Sequence, residues 1–146
     1  MKNRIKHARG VTLIELLVVL AVVAILSGIT LPALGSMFAG NDLNTSQENL
    51  IAALNKARGM SISRGTITTV TINAATHSVQ LSAADNSFSD TVQVRPSVNI
   101  GANATLTFGA QGTATAAAII LSAVNYASLP PRTINVSPTG IVTAGR

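Results

Sequence analysis

The sequence predicts an α+β fold in which one long N-terminal helix packs on an antiparallel β-sheet domain. Three observations carry the prediction: an apolar run from Val11 to Leu31, an apolar face of helical period from Leu43 to Met60, and short β-branched segments separated by turn residues from Thr66 onward.

The first element follows a basic segment. Met1 to Gly10 carries Lys2, Arg4, Lys6 and Arg9, and the next residues read VTLIELLVVLAVVAILSGITL. About 20 apolar residues are what one helix needs to cross a bilayer core, so 11–32 is expected to span a membrane. No small-residue cleavage site of an ordinary secretory signal closes the run; Ala33 to Ser36 is only a weak match. Basic residues before the span place the N-terminus in the cytoplasm and the remainder on the far side. Glu15 interrupts the run, and a carboxylate near the start of a spanning helix costs roughly 2.5 to 3.5 kcal/mol on insertion scales. A charge retained at that cost points to a function.

Gly28 and Pro32 are poor helix-interior residues, Pro by about 3 kcal/mol, and a kink or local melting is expected there. One alternative is that Pro32 ends the span and a loop follows through Gly35 and Gly40. Periodicity favours continued helix: Leu43, Leu50, Ile51, Leu54, Ala57 and Met60 share one face, so 33–65 is an amphipathic continuation, resuming near Asn41 and stopping near Gly65. On it Lys56, Arg58 and Arg64 read as the solvent-facing side.

The β domain occupies 66–146. Thr66 to Asn73 (TITTVTIN) and Ser78 to Ser82 form a hairpin across a turn at Ala74 to His77. Further strands are expected at Thr91 to Val94, Ala104 to Phe108, Ala117 to Ser122, Arg132 to Ser137 and Ile141 to Ala144. Gly109 to Ala118 and Ala83 to Asp90 are small and polar and read as loops, and Ser137-Pro138-Thr139-Gly140 fits a tight turn.

Composition narrows the functional classes. The net charge of +5 comes from ten Lys and Arg against five Asp and Glu, but four of the ten cations precede Val11. Without them six cations face five acids, a balance of +1, so basicity is poor evidence for a nucleic-acid partner. There are no cysteines, which excludes disulfides, thiol catalysis and thiolate metal sites. Of the two histidines His7 lies in the basic segment before Val11, and His77, in a turn, reads as solvated; Asp85 and Asp90 lack the spacing of an EF-hand; no G-x-S-x-G is present. The reading is a non-enzyme with no cofactor and no metal.

The junction Arg9-Gly10 followed by Val11-Thr12-Leu13-Ile14-Glu15-Leu16-Leu17-Val18 resembles the class III signal of type IV pilins and type II secretion pseudopilins. The resemblance implies a pilin-like fold and a leader, 1–10, cut by a prepilin peptidase after Gly10, with Val11, where the family usually has Phe, N-methylated. It also implies that Glu15 pairs with the N-terminal ammonium of a neighbouring subunit, and that Gly28 and Pro32 mark where the helix bends or unwinds on packing. Leu106-Thr107-Phe108 with Gly112, and Ile134-Asn135-Val136-Ser137-Pro138-Thr139-Gly140-Ile141-Val142, resemble the GspH/FimT minor subunits. The implied partners are other pilin or pseudopilin subunits and the bacterial inner membrane, with the C-terminal domain periplasmic. The implied role is structural, a minor subunit of a type II secretion pseudopilus or type IV pilus at its tip or initiation. The alternative is a DNA-binding minor pilin for uptake, with Arg146 in a Gly-Arg tail joined by Arg132 and Arg95.

Overall fold

The structure, a computed structural model, describes residues 11–145, with the backbone alone at 29–33. Gly10, the basic segment before it and Arg146 lie outside the described residues. The chain divides into two compact units, residues 1–35 and 36–146.

In the first unit, helix α1 (Leu13–Arg64) starts with a reciprocal cap. The Glu15 amide donates to Thr12 Oγ1 at 3.3 Å, and the Thr12 amide donates to the Glu15 carboxylate at 3.4 Å. This is the capping box of a Thr followed three residues later by Glu, which satisfies two amides that lack partners inside the helix. Every described side chain from Val11 to Gly28 is exposed. Among the described residues no helix is long and apolar enough to cross a membrane.

The expected local melting and the alternative loop are both corrected: the backbone is helical through Gly28, Pro32, Gly35 and Gly40, so the helix does not restart near Asn41. An isolated glycine costs only about 1 kcal/mol in a helix and Pro32 about 3, local penalties set against cooperative propagation along the 52 residues of α1.

In the second unit, the face of α1 carrying Ala39, Leu43, Leu50, Ala53, Leu54 and Ala57 is buried, with Ile51 and Met60 half-buried at its margins. It covers two four-stranded sheets rather than one. The strands are β1 (Thr68–Asn73), β2 (Ser78–Ala83), β3 (Ser89–Gln93), β4 (Val98–Ile100), β5 (Ala104–Phe108), β6 (Ala117–Ala123), β7 (Arg132–Val136) and β8 (Val142–Gly145). Their orders are β3-β2-β1-β5 and β4-β6-β7-β8, with antiparallel neighbours throughout. Period-two alternation sends Val70, Ile72, Val79, Leu81, Leu106 and Phe108 of the first sheet, and Val98, Leu121 and Ile134 of the second, into one core. Each such burial contributes roughly 1.5 to 3 kcal/mol.

Three assignments shift. β4 falls where no strand is expected, since three residues are too few to establish a period. β3 begins at Ser89 and stops before Val94, which is nonetheless buried. Ala83, expected in a loop, is the buried last residue of β2. The Ser137–Gly140 turn is as expected: the Gly140 amide donates to Ser137 O at 2.9 Å, and Gly140 has φ +73°.

Candidate functional site

The chemistry-bearing residues fall into three groups, and the fold keeps them separate. At the N-terminal end Val11 is the first described residue, exposed beside the Thr12 and Glu15 cap. That carboxylate is aimed at the helix start, where unpaired amides favour negative charge.

The second group holds the cations singled out for DNA. Arg95 Nε lies 3.3 Å from Asp42 Oδ1, and the other Asp42 oxygen accepts from Ser97 Oγ at 2.6 Å. Arg132 Nε donates to Asn44 Oδ1 at 3.1 Å. Asp42 and Asn44 are two residues apart on α1, which turns their side chains roughly 160° from one another. The two arginines are therefore tied to different sides of the helix. Between them Gln47, nearly buried, donates through Nε2 to Thr133 O at 3.0 Å and Gly145 O at 3.1 Å, holding the end of β8 against α1. Sequence reasoning passed over Gln47, although a polar residue spaced between Leu43, Leu50 and Leu54 on the buried face was the available signal.

The third group lies along the last turns of α1: Lys56 and Arg64 are exposed, as expected of the solvent-facing side, whereas Arg58 is half-buried, which corrects the reading there. Lys56 pairs with Asp90 on β3 and lies 5.4 Å from the centre of the Phe88 ring; Arg64, hydrogen-bonded to Ser87, lies 5.8 Å from the same centre. Arg58 is half-buried, donating from Nε to Gly112 O at 3.2 Å and from Nη2 to Thr139 O at 3.3 Å. Long apolar stems let these cations reach beyond the helix flank to acceptors on the sheet loops. A Cβ at Gly140 would stand 1.9 Å from Gly112 O, so the two glycine turns meet directly beneath Arg58.

The remaining candidates are structural. His77 is half-buried at φ +48°, and its Nδ1 donates to Val98 O at 3.0 Å, which corrects the solvated reading and joins the β1–β2 turn to β4. Asp85 accepts from the Ser87 hydroxyl at 2.6 Å and the Ser87 amide at 3.0 Å; the hydroxyl bond, then the amide, holds its carboxyl below the usual range. The Lys56 hydrogen bond does the same for Asp90, with smaller contributions from the Thr91 amide and the Lys56 charge. Among the described residues no group of three His, Cys, Asp or Glu is placed to hold a metal ion.

Comparison with known proteins bears on the whole chain. Residues 5–31 match the family model described as prokaryotic N-terminal methylation motif, and residues 46–140 match that described as type II transport protein GspH. No curated protein matches. Among solved structures, the minor pseudopilin EpsH from the type 2 secretion system of Vibrio cholerae is 13% identical with a TM-score of 0.60, over 71% of this chain and 96% of that one. The type IV minor pilin FimU of Pseudomonas aeruginosa is 18% identical with a TM-score of 0.59, over 73% of this chain and 90% of that one. At such identities the likeness establishes the pilin-like fold expected from the sequence: a long N-terminal helix on antiparallel sheet.

Proposed function

From the premise that this chain belongs to the family of the type II transport protein GspH, we propose that it is a minor structural subunit of a type II secretion pseudopilus or type IV pilus. The observation that carries this reading is the pairing, in one chain, of the N-terminal methylation motif with the GspH domain. A prepilin peptidase cuts between Gly10 and Val11 and the new Val11 amine is methylated. The run from Val11 anchors the chain in the inner membrane with the β domain periplasmic. Its exposed apolar side chains support that placement, since lipid or neighbouring subunits must cover what this chain leaves bare.

Within the filament Glu15 meets the N-terminal ammonium of a neighbouring subunit, neutralising two charges that are each costly in lipid. Gly28 and Pro32 are where the helix bends on packing. The role is structural, with no catalytic step. Nothing in the arrangement favours DNA capture, because Arg95 is paired with Asp42, Arg132 is tied to a different side of α1, and useful phosphate affinity needs several cations together.

Two variants test the reading. Gly10→Leu is expected to leave a full-length precursor on a gel, and normal processing removes the leader assignment. Glu15→Ala is expected to be processed normally yet to be depleted from sheared filaments, and unchanged incorporation removes the pairing role. Deletion of the gene, scored for both protein secretion and piliation, decides between the two machines.

A further inference from the structure

Where α1 finishes, three isoleucines stand about half exposed: Ile62 in the last turns of the helix, Ile67 just before β1 and Ile141 just before β8, at 50%, 50% and 53%. Ile62 and Ile67 border the loop from Gly109 to Thr113, and Ile141 follows the glycine that packs on it. A Cβ placed on Gly112 would stand 2.8 Å from Ile62 Cδ1, and Ile67 shares a hollow of about 260 Å³ with Gly109 and Thr113. Gly140, next to Ile141, packs on the Gly112 carbonyl.

Arg58, one helical turn before Ile62, lies against Gly112 and Gly140. Its hydrogen bonds, to Gly112 O and Thr139 O, both end on neutral oxygens. Among the described residues the ion pairs are Lys56 with Asp90 and Arg95 with Asp42, so Arg58 keeps a charge that no described carboxylate neutralises. The neighbouring cation Arg64 is turned to Ser87, with Asp85 close by. In half-buried surroundings the attraction of the Arg58 guanidinium for a carboxylate is stronger than in water. Apolar side chains around a central arginine are the composition of energetically dominant protein contacts. A single arginine is too little for a polyphosphate chain, and the isoleucines offer it nothing.

We propose that this end of the domain docks a neighbouring filament subunit that presents a carboxylate flanked by apolar side chains. Arg58 takes the carboxylate, and Ile62, Ile67 and Ile141 take the apolar flank. The proposal rests on the filament-subunit reading and names the chemistry of one of its contacts.

The test is incorporation of the full-length chain into sheared filaments in its own host. Ile67→Asp and Ile141→Asp are expected to cut incorporation at least about tenfold while the melting temperature of the purified chain stays unchanged. Normal incorporation of both overturns the docking surface. Arg58 also holds two turns together, so Arg58→Gln is read beside its melting temperature and beside Arg58→Lys, which keeps the charge. A depletion by Gln that Lys rescues supports the carboxylate contact; normal incorporation of Arg58→Gln overturns that contact whatever the isoleucines do. If the unaltered chain itself is missing from filaments, the filament reading falls, and this proposal with it. Incorporation of the unaltered chain beside equal incorporation of the isoleucine variants sinks this proposal alone.

Discussion

At the scale of single residues, the fold is most sharply constrained at Gly140. Its φ of +73° and the 1.9 Å that would separate a Cβ from Gly112 O leave no room for another residue. Gly140→Ala is expected to cost at least about 2 kcal/mol, combining left-handed strain with a backbone clash, measured by denaturant unfolding. The exposed carboxylates make a different kind of contribution. Asp90 is held ionised by Lys56, and Asp85 by Ser87, so each titrates below the ordinary carboxylate value of 3.8. A folded-state pKa depressed in this way stabilises above the unfolded value and is lost as pH falls through the folded one. Stability is therefore expected to decline on acidification below about pH 4. In Asp90→Asn that decline should be shallower, as read from unfolding midpoints at pH 6 and pH 3. An unchanged slope removes Lys56 from the account.

At the scale of elements, Gln47 is the cross-brace between α1 and the two C-terminal strands. Gln47→Leu keeps the volume near the core but leaves Thr133 O and Gly145 O without their donor. A loss of about 1 to 3 kcal/mol and faster amide exchange confined to β8 are expected. The same elements show what the sequence makes legible. The helical face from Leu43 to Ala57 and the strands β1, β2, β5, β6 and β7 were predicted within a few residues, because burial imposes periods that the side chains must follow. β4 was not, since Val98 and Ile100 alone carry too short a pattern. Nor were the roles of Arg58, Lys56 and Arg64, whose acceptors are carbonyls, a ring and an acid from distant loops; helical periodicity reports which side of α1 a residue occupies, not how far its stem reaches. The Glu15 cap is legible in the sequence, as Thr12 and Glu15 have the capping-box spacing.

At the scale of the whole molecule, the division at Gly35 separates two kinds of stability. Residues 36–146 hold the buried core, whereas the described side chains from Val11 to Gly28 are all exposed. A chain beginning at Ser36 is therefore expected to fold with a single cooperative melting transition and to remain monomeric at concentrations where the chain from Val11 associates. Gradual melting without a transition would show that the core needs the first unit.

Arg58 has a mechanical consequence. Its two acceptors belong to loops that follow different strands, Gly112 after β5 in one sheet and Thr139 after β7 in the other, and those loops touch at Gly140. A pull on the final turns of α1 thus loads both sheets at one point instead of peeling one hairpin at a time. Rupture there requires several bonds to fail together, and the C-terminal hairpin shares the load instead of hanging from the domain as a flap.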